Sequence, residues 1–341
     1  MKKELRKYMV NNIEFGISIY LSTNIEMNSE YLLKAKEVNS SFVFTTINMP
    51  EENDELKKDI SKVVELCKKN KMKLIVDINA NSKKYIKDYE NVYYRIDDGL
   101  SNDEIIALAK NNYVVLNSTT LDEKDLKYFK LKGVDFSKLY SLHNYYPKVY
   151  TGVSLKFLKK RNEIYKKYGL KTMAFIPGDL KRGPIFEGLP TVEEHRYMDI
   201  LQASLELIAN DTDVILLGDL NIKEENWERL KYLLKGIVPL RINKNILKNR
   251  IFENRKDYSN YVVRNIKRDV ILDTIVEIDK NIEKGDILVT DEKGLRYKGD
   301  LEIALKNLNK LNDGRRIVAS VIDKDKGLLD YLSIINKFIF I

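Results

Sequence analysis

A series of short apolar runs in this chain ends in side chains that carry charge or strong hydrogen-bonding groups. Asp77 closes KLIVDINA, Arg95 and Asp97 close VYYRIDDG, and Asn117 closes YVVLNST. His143 and Asn144 follow in LYSLHNYYP, Asp179 in KTMAFIPGD and Asp219 in DVILLGD. Carboxyl groups in pairs are what cleavage of a glycosidic bond requires, one as proton donor and one as nucleophile or base. Asp77, Asp97, Asp179 and Asp219 can supply such a pair if the runs are strands ending on one rim. Asp98 alternates to the opposite side and drops out. Any of the four can instead cap a helix or orient Arg95. Asn117, His143 and Asn144 suit directional bonds to hydroxyls. Tyr145, Tyr146 and Tyr150 can stack on the apolar face of a sugar or simply pack on the rim. A second loop, IPGDLKRGPIFEGLPT, adds Glu187 to the acids and brings Lys181 and Arg182. The fork of Arg and the point charge of Lys suit a phosphate, with an internal Arg–carboxylate pair as the plainer alternative. No HxH or HExxH spacing is present, so no metal or other cofactor is expected.

These residues need a scaffold that turns strand ends toward one another. Eight apolar runs, 15–22, 41–49, 73–80, 92–99, 113–119, 139–147, 171–179 and 213–219, alternate with helical patterns. That alternation predicts a (β/α)8 barrel, whose active site lies at the C-terminal ends of the strands. Strands four and eight would then face each other across the barrel, which makes Asp97 and Asp219 the leading catalytic candidates and Asp77, Asp179 and Glu187 the reserves. Asn28 or Ser29 is expected to cap the first helix, and Pro50 to open the second. Thr191 with Glu194 reads as a capping box for the helix after strand seven. Beyond about residue 240 the runs turn β-like, in NYVVRNI, KGDILVT, LRYKGDLEIAL, RRIVASVI and KFIFI. The chain is therefore expected to divide into a barrel over 1–236 and a β-rich domain over 242–341, with KGIVPLRIN as the linker.

Composition bounds the setting. Of 341 residues, 44% are hydrophobic and 32% charged, which suits a globular protein with an ample core. The net charge of +8 comes from Lys scattered among Glu on helix faces, not from a basic stripe that would bind nucleic acid. Attraction to an anionic ligand is the functional alternative. Cys67, the sole cysteine, allows no intrachain disulfide and falls on an apolar helix face. Neither a signal-like apolar stretch nor a run of about 20 apolar residues is visible, so a cytoplasmic protein with no membrane partner is expected.

The strings LHNYYPKVYTGVS and FIPGDLKRGPIFEGLPTVEEHR, with GISIYLS, FVFTTINMPE, YYRIDDG, VVLNSTT and ILLGD, resemble the 6-phospho-N-acetylmuramidase family. The likeness continues through NRKDYSNYVVRN, EKGDILVTDEKGLRYKGDLEI and IVASVI, and so spans nearly the whole chain. It implies a barrel followed by a cyclophilin-like domain. It also implies hydrolysis of 6-phospho-N-acetylmuramic acid linked to N-acetylglucosamine, a phosphorylated amino-sugar disaccharide, in peptidoglycan recycling. By motif it implies site roles for Asp97, Asn117, His143, Asn144, Asp179, Arg182, Glu187 and Asp219. From the second domain it adds Asn254, Arg255, Asp257, Arg264, Arg296 and Tyr297. That domain shows no obvious pocket in its sequence. Arg255 and Arg296 are therefore expected at the barrel mouth, or at the mouth of a partner subunit in a homodimer. A non-catalytic sugar-phosphate sensor and a lyase or isomerase acting on phosphorylated sugars stand as the alternatives.

Overall fold

All eight apolar runs become strands. They are β1 (Glu14–Ser18), β2 (Phe42–Thr46), β3 (Lys73–Ile78), β4 (Val92–Ile96), β5 (Tyr113–Asn117), β6 (Leu139–Leu142), β7 (Lys171–Ile176) and β8 (Val214–Leu217). Each pairs in parallel with the next, and β1 pairs with β8, so the sheet closes into a barrel. The structure is a computed structural model that describes residues 13–48, 60–85, 89–272, 280–310 and 312–341. The chain falls into two units, Asn12–Trp227 and Glu228–Ile341.

Parallel strands need crossovers, and helices α1 (Ile25–Glu37), α2 (Ile60–Lys69), α3 (Asn102–Asn111), α4 (Glu123–Leu131), α5 (Leu155–Lys167) and α6 (Ile200–Ala209) lie between barrel strands, with a 3-10 turn, Lys83–Tyr85, between β3 and β4, while α7 (Glu224–Leu234) follows β8. Ser101 with Glu104 and Asp122 with Asp125 form capping boxes at α3 and α4. Two expectations about helix starts change. α1 begins a turn earlier than read, capped by Asn24, while Asn28 is buried and donates to the Tyr20 and Thr23 carbonyls. Thr191 caps nothing, because its hydroxyl accepts from Phe175 N and donates to Asn144 O; Asp199 caps α6 instead. The expected opening of α2 at Pro50 lies outside the described residues. Cys67 is buried as read, and burial pushes its thiol up to about 12.

Inward-facing residues alternate along each strand. Phe42, Phe44, Ile75, Tyr93, Val115, Leu142, Met173, Phe175, Val214 and Leu216 fill the barrel interior. The register then dictates the next layer. Phe44 pairs with Ile75 and Ile75 with Tyr93, so two residues further on Thr46 pairs with Asp77 and Asp77 with Arg95.

The β-rich unit holds a three-stranded sheet of β10 (Ile251–Glu253), β15 (Lys337–Phe340) and β9 (Ile237–Leu240). A four-stranded antiparallel sheet is ordered β11 (Val262–Arg264), β13 (Leu301–Ala304), β12 (Asp286–Thr290) and β14 (Arg315–Ser320). The segment read as a linker is β9, an edge strand parallel to β15. Pro239 hid it, yet an edge strand tolerates a residue without an N–H. The run LRYKGDLEIAL is only half strand, since Leu295 to Tyr297 belong to a 3-10 turn. Asp325, fully buried, accepts from Arg229 Nη2 at 3.1 Å and from Arg241 N, Nε and Nη2 at 2.8, 3.1 and 2.6 Å. Asp325→Ala leaves two guanidinium groups without their shared carboxylate and is expected to cost about 3–5 kcal/mol. Urea unfolding measures this; an unchanged midpoint would exclude the cluster as an anchor.

Candidate active site

The barrel rim on the side of β2, β3 and β4 surrounds a cavity of about 270 Å³. Its lining includes Thr46, Asn48, Asp77, Arg95, Asp97, Asn144 and Tyr145 above the rings of Phe44 and Phe175. Each comes from a strand end or the residues just past it, where the (β/α)8 fold places reactive groups.

Arg95 is the centre of this cluster and only 3% exposed. Its Nη1 donates to Asp77 and, at 3.3 Å, to Asp97, while its Nη2 donates to the Asn144 side-chain oxygen. Burial disfavours its charge, but the carboxylates of Asp77 and Asp97 more than offset this and raise its pKa. The second oxygen of Asp77 accepts from Thr46 at 3.2 Å and Asn48 at 3.3 Å. Burial pushes Asp77 up to about 6, against the pull of Arg95 and with help from Asp97. The two acids share one guanidinium nitrogen but sit differently, Asp77 at 9% side-chain exposure and Asp97 at 37%. Asn117 stands behind them, its amide donating to the Asp97 carbonyl at 3.1 Å.

Tyr145 completes the wall, with its ring edge-on to Phe44 and Phe175. Burial, reinforced by Asp77, raises its phenol above the usual range, while Arg182 and Arg95 oppose this. Arg182 is buried with its guanidinium 4.0 Å from the centre of the Tyr20 ring. Lys181 is half-buried in the same loop. Gly188 has a φ of +88°, a conformation that L side chains rarely adopt, so the loop relies on glycine there.

Other expected site residues have structural tasks instead. Asp219 is fully buried and accepts from Gly178 N at 2.8 Å, Arg182 N at 3.0 Å and Leu189 N at 3.1 Å. It staples the loop after β7 and does not line the cavity. Asp179 accepts from Lys223 N and Asn226 Nδ2 at the start of α7. Glu187 accepts from the exposed Tyr197 hydroxyl at 2.7 Å. His143 follows the inward-facing Leu142, so strand alternation turns it outward. It is fully buried, its Nε2 lies 3.0 Å from Asn162 Oδ1 on α5, and burial lowers its pKa to about 4. Its expected role at the rim gives way to one between strand and helix. Tyr150 is 89% exposed.

Four groups escaped the sequence reading. Thr46 and Asn48 obey the same strand-end rule as Asp77, but uncharged side chains at a strand end carry little signal in a sequence. Arg196 and Glu193 form the clamp of the upper loops. Arg196 donates to the carbonyls of Tyr146, Lys148 and Gly188 and to Glu193, which also accepts from Tyr150 N and Gly152 N.

In the β-rich unit, Asn254 is buried and spans Arg264 N and the Leu332 carbonyl. Arg296 is exposed beside the Tyr297 ring. The expectation that this unit lacks a pocket is overturned, because Arg255 and Arg264 line a cavity of about 550 Å³ formed by its own residues. Among the described residues no group of three or more His, Cys, Asp or Glu could hold a metal ion, and no helix is long and apolar enough to cross a membrane.

Two family models match the chain, those for the N-terminal and C-terminal parts of 6-phospho-N-acetylmuramidase, over residues 15–232 and 239–341. Among solved structures, a conserved Enterococcus faecalis protein of unknown function is 27% identical over 96% of each chain, with a TM-score of 0.80. An uncharacterized B. cereus protein is 23% identical over 97% of this chain and 99% of its own, with a TM-score of 0.79. No curated protein sequence matches.

Asp219→Asn puts an amide group where carboxylate oxygens receive three backbone donors. The expected result is a loss of about 1–3 kcal/mol for each donor left unpaired. Urea unfolding of the variant with wild-type stability would refute the staple.

Proposed function

The chain belongs to the 6-phospho-N-acetylmuramidase family, and on that premise we propose that its barrel cavity hydrolyses the bond between 6-phospho-N-acetylmuramic acid and N-acetylglucosamine, in peptidoglycan recycling. The observation that carries this reading is the pair Asp77 and Asp97, held by one arginine in unequal surroundings. Two carboxyl groups whose environments differ take different roles in acid–base chemistry. Asp77, held near 6 by burial, is the proton donor to the leaving oxygen. Asp97, the more exposed of the two, faces the anomeric centre as the second carboxylate.

The rest of the lining supports a sugar. Phe44, Phe175 and Tyr145 present apolar surface, and Asn48 and Asn144 present amides. Both acids engage the one arginine of the cavity lining, so the cavity offers no spare cation to a phosphate. Lys181 and Arg182 on the loop after β7 are the groups we assign to the 6-phosphate, since loops after strands seven and eight often bind phosphate in this fold. A phosphate there would meet a fork donor and a point charge.

The test is turnover of the phosphorylated disaccharide, read as released N-acetylglucosamine. Asp97→Asn is expected to lower kcat by about 10²- to 10⁴-fold, the usual contribution of positioned acid–base groups, with folding intact. In the wild type, kcat should fall as the pH rises through about 6, because the donor must be protonated. Full activity of Asp97→Asn, or no release by the wild type, would reject the reading.

A further inference from the structure

The cavity of about 550 Å³ in the β-rich unit is built over one face of its four-stranded sheet. Paired residues of neighbouring antiparallel strands share a face. Arg264 on β11 pairs with Glu302 on β13, and Thr290 on β12 pairs with Arg315 on β14. These four line the cavity. Further along the same strands, Leu288, Ala304 and Ile317 join Ile282 in a small buried apolar cluster. One sheet face thus changes from apolar core to charged floor within a single register step. So polar a floor is not needed to pack the unit.

The charges on this floor are sorted. At one end Arg255 and Arg264 share a single carboxylate. Asp257 accepts from Arg255 Nε at 3.0 Å, Arg255 Nη2 at 3.2 Å and Arg264 Nη2 at 2.9 Å. Two cations on one anion leave positive charge in excess. Among the described residues, Nε and Nη1 of Arg264 and Nη1 of Arg255 have no protein acceptor, so donors remain for a ligand. Beginning at Glu302, the cross-strand partner of Arg264, the count reverses. Arg315 lies between two carboxylates, donating to Glu302 from Nε at 2.5 Å and to Asp313 from Nη1. Two anions on one cation leave negative charge in excess. Ser259 and Thr290 add hydroxyls to the lining, and the Tyr297 ring adds an aromatic face.

We propose that this unit carries a second binding site of its own, for a small sugar phosphate bearing an amino group. The phosphate lies against Arg255 and Arg264, and the ammonium lies toward Glu302 and Asp313. Guanidinium forks match phosphate oxygens in geometry as well as charge. The volume falls within the range of small-molecule sites, roughly 300–1,000 Å³. The proposal does not rest on the barrel acting as a glycosidase, because both ends of the site come from the β-rich unit.

Calorimetric titration of the full-length protein tests it, with glucosamine 6-phosphate as the probe. Glucose 6-phosphate, glucosamine and inorganic phosphate lack one or more of the recognised groups. Glucosamine 6-phosphate should bind saturably, at least tenfold more tightly than any of the three. Arg264→Ala should weaken it at least tenfold. Arg255→Gln, a change at a half-exposed side chain, should weaken it several-fold and guards against misfolding at Arg264. Asp313→Asn should shrink the gap between glucosamine 6-phosphate and glucose 6-phosphate. Asp97→Asn in the barrel should leave all four affinities unchanged, so that failure here and failure of the glycosidase reading are separate results. Absence of saturable binding, equal affinity for the four probes, insensitivity to both arginine changes, or loss in Asp97→Asn would each overturn the proposal.

Discussion

A buried guanidinium governs the rim of this barrel. Arg95 is removed from water, and a charge in that position survives only when it is paired and hydrogen-bonded. Asp77, Asp97 and Asn144 supply the partners from β3, β4 and the segment after β6. Each partner is held in turn. Thr46 and Asn48 fix the free oxygen of Asp77, Asn117 holds the Asp97 carbonyl, and the Thr119 and Thr191 hydroxyls hold the Asn144 backbone. One charge therefore ties together groups from successive strands. The candidate acids inherit their positions from it, and their difference in exposure gives two identical side chains different properties.

The loops above the rim are held by the same kind of interaction. Asp219 gathers three backbone N–H groups of the loop after β7, and Arg196 gathers carbonyls from the loops after β6 and β7. One is an anion that collects donors and the other a cation that collects acceptors. Irregular backbone near a barrel rim carries polar groups that neither helix nor sheet satisfies. These two side chains satisfy them, which gives strongly charged residues here a structural task.

That task was the part hardest to see in the sequence. The eight strands were legible because apolar runs alternating with amphipathic stretches have few other solutions, and Asp77, Arg95, Asp97, Asn144 and Tyr145 followed from strand ends. Asp219 also sits at a strand end, yet only the path of the following loop reveals that its oxygens are already taken. At the end of β6 a period of two puts Asn144 inward and His143 outward, against Asn162. Pro239 disguised β9 because the partner that makes it an edge strand, β15, lies a hundred residues further along the chain. The pocket of the β-rich unit was invisible because its floor depends on cross-strand register, which links Arg264 to Glu302 and Thr290 to Arg315.

Burial at the rim, against the pull of Arg95, makes Asp77 a weaker acid than an ordinary aspartate. Titration of the aspartate side chains by carbon-13 NMR, with Asp77 assigned from an Asp77→Asn variant, measures this directly. Asp77 should titrate at about 6, and Asp97→Asn should move it downward, since the Asp97 charge adds to the effect of burial. An Asp77 that titrates like an ordinary aspartate, near 4, and does not respond to Asp97→Asn would contradict the account.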